Sequence, residues 1–344
     1  MKFKCFSDWI QLPLSADRLF VDAAHDSMFF SRDWFETLSK SALSDEESLL
    51  IACVIDGDTM LAILPLKQGI NDDWYALGHL YSWLYTLLMD EQAGDEVIEC
   101  LAQGIVDSKC QSLRLEPVAE EDPAILKLQI ELEAGGFYCN RQYRFYNWFH
   151  PVKEKTIDDY MLARPSRVSN TIARKQRKLA REHDYQFRLF STEDVSTGLA
   201  DYNAVYQSSW KAKELFDELV ENLVFNFASR NWLRLGVLYI DGEAAAAQLW
   251  FVVHGKANIF KLAYDEKWKL YSPGSILIRH MMEYVIEKDG VEEIDFLMGN
   301  DAYKQDWMTE RRERWGLYCG RQRKQESISL DISGFVKRIF QRFK

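Results

Sequence analysis

Two Asp-Gly dipeptides, Asp56-Gly57 and Asp241-Gly242, lie 185 positions apart, and each is flanked by apolar runs. The runs are Leu49 to Ile55 and Met60 to Leu66 around the first, and Leu233 to Ile240 and Ala244 to Val253 around the second. Asp-Gly tolerates the positive φ angles of a tight turn, so each site predicts a β-hairpin. After the first come Trp74 to Leu88, strand-like in parts, a helix from Asp95 to Val106, a strand from Ser112 to Glu116, a helix from Ala124 to Glu133 and a strand from Phe137 to Phe149. After the second come a strand from Ala257 to Tyr264 and a loop ending in Ser272-Pro273-Gly274-Ser275. A helix with Ile276, Leu277, Met281, Met282 and Val285 at helical spacing follows, then the stop Gly290 and a strand from Val291 to Met298. One α/β unit is thus used twice, too few copies for a stacked array. The expectation is an α/β fold with a mixed sheet, divided into residues 1–150, residues 151–325 and a tail, 326–344.

With 344 residues, 47% apolar and 14% aromatic, the chain has material for two cores. Its net charge of -11 is uneven: residues 1–150 hold 11 Lys or Arg against 25 Asp or Glu, which leaves the remainder at +3. Overall acidity argues against a general nucleic-acid binder, and DNA is not expected as a partner, while a local site for an anionic ligand stays open. The six cysteines (Cys5, Cys53, Cys100, Cys110, Cys139, Cys319) form no Cys-x-x-Cys pair, and the few histidines give no metal spacing. Reduced thiols, no metal and a cytoplasmic address follow. Met1-Lys2-Phe3-Lys4 lacks a signal-peptide core, and the longest apolar run, Leu80 to Met89, is about half of a membrane span.

The loop before Ile276 opens a helix from a Pro-Gly turn, which presents three or four free backbone N–H groups and a positive dipole end suited to a pyrophosphate, although such a turn also serves merely to reverse the chain. A long helical segment, Thr156 to His183, carries Arg164, Arg167, Arg174, Lys175, Arg177, Lys178 and Arg181, a solvated basic face or a patch for phosphates. Asp194 to Asn231 reads as helical. Asp295 sits within a buried strand pattern, where an unpaired carboxylate is costly, so it is either hydrogen-bonded structure or a general base. Lys304 follows a Gly-Asn-Asp loop, as a solvated charge or a binder of substrate. In the tail, Phe335, Ile339 and Phe343 sit apart from Lys337, Arg338 and Arg342, a pattern for docking onto the protein or for contact with the inner face of a membrane.

Residues 160–320 resemble the GNAT acyltransferase fold, in particular the CelD-like branch associated with bacterial polysaccharide synthesis and related to FemAB-type transferases. The resemblance rests on Ser209-Trp210-Lys211, on Tyr271-Ser272-Pro273-Gly274 and above all on Asp295-Phe296-Leu297 with Gly299, Tyr303, Lys304 and Trp307; Phe30 to Trp34 and Pro65-Leu66 are similar to that family's N-terminal half. It implies tandem GNAT-like domains with the acyl-donor site in the second. The pantetheine of acyl-CoA, most simply acetyl-CoA, would pair with Ile259 to Tyr264, touching Leu262 and Tyr264, in a gap beside Ile294 to Met298. Tyr271, Ser272, Gly274 and Ser275 would cradle its diphosphate, and Tyr303 would protonate the departing thiolate. Trp210, Lys211, Lys304 and Arg174 would meet an acceptor, an amine or hydroxyl of a saccharide or cell-envelope precursor. Ser272 stands where the family's loop has its first glycine and Leu270 at its basic position. A FemAB-like donor, aminoacyl-tRNA docked on the basic helix, and a non-catalytic scaffold are the alternatives.

Overall fold

The computed structural model describes residues 1–322; the expected tail at 326–344 lies outside them. The first half supplies strands β1 (Lys2–Phe6), β2 (Ser48–Asp56), β3 (Thr59–Gln68), β4 (Asp73–Ala76), β5 (Leu88–Met89), β6 (Ser112–Ala119) and β7 (Tyr138–Pro151). Its helices are α1 (Ala16–Asp26), α2 (Arg32–Ser41), α3 (Asp95–Asp107) and α4 (Pro123–Ala134). The second half supplies β8 (Tyr185–Phe190), β9 (Leu233–Ile240), β10 (Glu243–Val253), β11 (Lys256–Tyr264), β12 (Glu293–Met298) and β13 (Glu310–Gly320). With these go α5 (Ile157–Leu162), α6 (Ser166–Glu182), α7 (Val195–Gln207), α8 (Asp217–Ser229), α9 (Pro273–Glu287) and α10 (Lys304–Trp307).

All thirteen strands share one mixed sheet, in the order β1-β2-β3-β4-β6-β13-β7-β12-β11-β10-β9-β8 with β5 beside β3. The repeated unit is visible in it. Each Asp-Gly hairpin leads to a strand that runs parallel to the strand after the next long helix, β4 with β6 and β11 with β12, and each parallel pair holds only three register positions. The last strands are then exchanged: β7, from the first half, pairs with β12, and β13, from the second, pairs with β6 as well as β7.

That exchange corrects the expectation of six reduced thiols. Cys139 and Cys319 stand opposite each other on β7 and β13, and a disulfide joins them with their Cα atoms 4.1 Å apart. The remaining four cysteines are free. Two helical segments also divide. Pro165 interrupts Thr156 to His183 between α5 and α6, and residues 208–216 form a loop between α7 and α8. Pro65 lies inside β3 opposite Ile51.

One core runs under both halves. Trp34 of α2 meets Phe227 of α8 and Phe260 of β11, with ring centroids 6.3 and 6.5 Å away, and Asn222 and Asn226 of α8 donate to Ser41 and Thr37 of α2. A second core, on the opposite face of the second half, gathers Ile276, Met281 and Val285 of α9 with Ile172 and Leu179 of α6 and Phe296 of β12. Among the described residues no helix is long and apolar enough to cross a membrane.

Candidate functional site

β11 and β12 pair only at Lys256–Glu293, Ala257–Ile294 and Asn258–Asp295, after which they part. Each strand contributes to the opening. On β11, Phe260 is an extra residue between the partners of Trp250 and Leu249, a bulge that bends the strand. On β12, Leu297 adopts a left-handed φ of 56°, and its register with β7 slips between Asp295 and Met298. A bulky residue in that conformation costs about 1 kcal/mol or more, so the surroundings must hold it there. Lys304 of α10 does so: its Nζ donates to the carbonyls of Phe296 (2.9 Å) and Met298 (2.5 Å) on either side of Leu297. Expected as a solvated charge or a substrate contact, Lys304 is instead buried, and its pKa is pushed down to about 8 by burial, against the pull of Asp301 and Asp295. α10 is held from α6 and the link before it, where Arg164 Nη1 donates to the Trp307 carbonyl at 2.8 Å and Arg167 pairs with Asp306.

The far end of the gap is aromatic. Trp210 packs on Tyr264 with centroids 4.5 Å apart, and a Cβ placed on Gly274 would stand 3.3 Å from the Tyr264 ring. Lys211 lies 5.8 Å from both the Trp210 and Tyr206 ring centres, with its pKa pushed down to about 8 by burial first and by Lys261 next. Leu262 and Tyr264 share the α9 side of β11. Ser272 takes a left-handed φ of 54°, Pro273 opens α9, and the amides of Ser275 and Ile276 both return to the Ser272 carbonyl at 3.1 and 3.2 Å. That tight turn leaves fewer donors for a diphosphate than the three or four expected. Tyr303 is 42% exposed beside the edge of the Phe296 ring (5.8 Å), and burial of its hydroxyl, with Asp301 next, raises its pKa above the usual phenol range.

Two candidates turn to other partners. Asp295 alternates with Phe296 and so faces the opposite side of the sheet. Its Oδ1 accepts from Asn147 Nδ2 and the Leu297 amide, both at 2.5 Å, and its Oδ2 from Arg312 at 2.6 Å. With its oxygens so engaged, Asp295 ties β12 to β7 and β13. Tyr271 turns to α6, where its hydroxyl donates to Glu182 at 3.0 Å and meets His183 Nε2 at 2.9 Å. Arg174 is exposed on α6.

Residues 166–305 match the family model of the acetyltransferase (GNAT) domain. The sequence matches no curated protein. Among solved structures, the chain is similar to FemX, at 12% identity and a TM-score of 0.62, over 87% of this chain and 94% of that one. It is also similar to the C-terminal domain of a putative lysylphosphatidylglycerol synthetase from Agrobacterium fabrum, at 12% identity and a TM-score of 0.52, over 90% and 92%. These likenesses show the shared fold.

The second half is tied to the first by a buried cluster that sequence reasoning missed. Lys261 Nζ, sent to that side by the β11 bulge, donates to Glu214 Oε2 at 2.5 Å and lies 3.9 Å from the Tyr81 ring centre, while the Tyr81 hydroxyl donates to Glu214 Oε1 at 2.5 Å. The ion pair holds the Glu214 carboxyl below its usual range despite burial, whereas burial lowers Lys261. A lysine inside the apolar run ANIFKLAY was the available signal; Glu214 was hidden in a stretch that reads as helix.

Proposed function

We propose that the chain is an acyltransferase that moves an acyl group, most simply acetyl, from acyl-CoA to an amine or hydroxyl of a saccharide or cell-envelope precursor. One observation carries the donor's place, the contrast between the two long helices that connect the strands of the two parallel pairs. α9 opens with Pro273 and no acidic residue in its first turn, so its dipole is free to favour an anion. α3, its counterpart, opens with Asp95 and Glu96, and Glu96 Oε2 lies where a Cβ on Gly94 would meet it, so carboxylates cover that terminus. Gly274, with no side chain, lets a diphosphate approach α9. β11 beyond Asn258 has no strand on its β12 side and can pair with an extended pantetheine.

In the transfer, the acceptor's nitrogen or oxygen bonds to the thioester carbon, the carbon–sulfur bond breaks, and the proton the acceptor loses balances the one the sulfur gains. Tyr303 keeps its hydroxyl protonated at neutral pH and donates to the departing sulfur. Lys304, at about 8, matches a thiol in acidity and is the alternative proton source. The acceptor class and a cytoplasmic address, at the inner membrane face if the tail docks there, rest on the resemblance to the CelD-like branch and on the tail's amphipathic pattern.

A thermal-shift panel of acyl-CoAs tests the donor. Ligand at a hundredfold its Kd stabilises by about 2.7 kcal/mol, a rise of several degrees in Tm. No shift with any CoA species would sink this reading. The second reading, a FemAB-like donor of aminoacyl-tRNA, is favoured by one observation, the exposed Arg174, Arg177 and Arg181 of α6. Binding to tRNA that weakens steeply with salt, without a response to CoA, would select it.

A further inference from the structure

The gap between β4 and β6 repeats the β11–β12 gap in the first half, and it opens a cavity of about 360 Å³ that reaches Phe216 and Met298 of the second. Its chemistry is the reverse of an acid-rich half's. Lys67, Arg114 and Arg144 line it against one carboxylate, Glu116, which accepts Arg144 Nε at 2.8 Å and the Tyr318 hydroxyl. Lys67 is paired with Glu47 at 2.7 Å, but Arg114 lies only against the Tyr75 and Tyr318 rings (5.6 and 6.0 Å) and makes no ion pair among the described residues.

Three lining side chains also hold buried nitrogens without a hydrogen-bond partner: Arg144 Nη2, His79 Nε2 and Trp83 Nε1. The Arg144 side chain is only 10% exposed. His79 Nδ1 accepts the Tyr81 amide at 3.3 Å, so in the neutral ring the proton is on Nε2; burial pushes its pKa down to about 4 and keeps it neutral. All three are therefore N–H donors, and a buried donor left unpaired costs about 1–3 kcal/mol. The residues that carry them line the cavity while the nitrogens themselves are buried, so a ligand reaches them through side-chain shifts of the kind that accompany binding.

We infer that this cavity binds the acceptor, and that the acceptor carries a carboxylate or phosphate group, held by Arg114 and Arg144, beside a planar or ring-shaped body that packs on Tyr75, Trp83 and Phe145. The inference rests on the transferase reading, since Met298 places the cavity's inner end at the backbone that Lys304 grips beside the donor gap.

The test is the indole N–H resonance of Trp83 in the ¹⁵N-labelled full chain, identified with Trp83→Phe and titrated with phenyl phosphate, benzoate and neutral benzamide. Phenyl phosphate or benzoate should shift it, the tighter of the two naming the charged group, and Arg114→Glu should weaken that binding at least tenfold, with Arg114→Gln as a milder substitute should the first not fold. Equal shifts with benzamide, no shift with either anion at tens of millimolar, or unchanged anion affinity in the Arg114 variants would overturn the inference. A thermal shift with acetyl-CoA, run on the same samples, reads the donor separately: its presence with no anion binding removes only the acceptor pocket, and its absence with anion binding removes the donor reading alone.

Discussion

The ammonium of Lys304 donates to the carbonyl of Phe296 at 2.9 Å, and through that bond a lysine eight residues downstream fixes the bend that Leu297 puts into β12. Lys304→Met keeps the stem and deletes both carbonyl contacts. We expect turnover to fall by about 10²-fold or more, the range that misplaced geometry or a lost acid produces. The pH dependence identifies the cause. Folded Lys304 titrates at about 8, below an ordinary lysine at about 10.4, so between those values the unfolded chain holds a proton that the folded chain has released. The fold therefore gains stability from this group as the pH rises from about 8 to about 10.4, and lacks that gain below 8. Urea midpoints measured from pH 7 to 10 should rise more steeply, or fall less, in the parent than in Lys304→Met; parallel curves would mean the lysine is not buried as described.

Tyr303→Phe retains the ring against Phe296 and removes the hydroxyl. With 42% of the residue exposed, its stability should change by about 1 kcal/mol or less, while kcat should drop by 10²- to 10⁴-fold if the hydroxyl serves the sulfur. Unchanged single-turnover rates would transfer the proton to Lys304 or water.

Gly274→Trp fills the approach to α9. A Cβ there meets the Tyr264 ring at 3.3 Å, a contact relieved by a few tenths of an ångström, so the chain should still fold. Its Tm should no longer respond to acetyl-CoA, whereas Gly274→Ala should keep most of the response. A full response in Gly274→Trp would place the diphosphate elsewhere.

Lys261 and Glu214 form a buried pair, with side chains 9% and 10% exposed. Lys261→Met alone leaves a buried carboxylate uncompensated and should cost about 3–5 kcal/mol, and adding Glu214→Leu should recover much of it. Additive losses in denaturant titrations would show that the two charges do not act as a unit.

The parts of the fold readable in the sequence are those set by neighbours along the chain: the Asp-Gly turns, the strand–helix–strand units and the Pro273 helix start. β13 was not readable, because ERRER looks like a solvated charge run. Its Arg314 is buried and its Arg312 half-buried only because Glu293, Asp295 and Asn147 arrive from β12 and β7 to pair with them. In the candidate site, Tyr264, Gly274 and Trp210 were found together by resemblance, and they do converge. Lys304 was found for the wrong reason, since spacing cannot tell a lysine that caps carbonyls from one that meets solvent. Arg114 escaped notice altogether, because its place among unpaired donors depends on β7 and on the loop after β4.

The exchange of β7 and β13 fixes an order in time. β6 leaves the ribosome some two hundred residues before the strand that will lie beside it, since Leu115 pairs with Leu317. During synthesis the first half therefore carries an open strand edge, which invites pairing with other chains. β13 closes that edge only when the second half is complete, and in doing so joins both strand gaps to one frame. The first half cannot finish folding as a separate early product, and a chain halted before Glu310 would be left with the edge exposed.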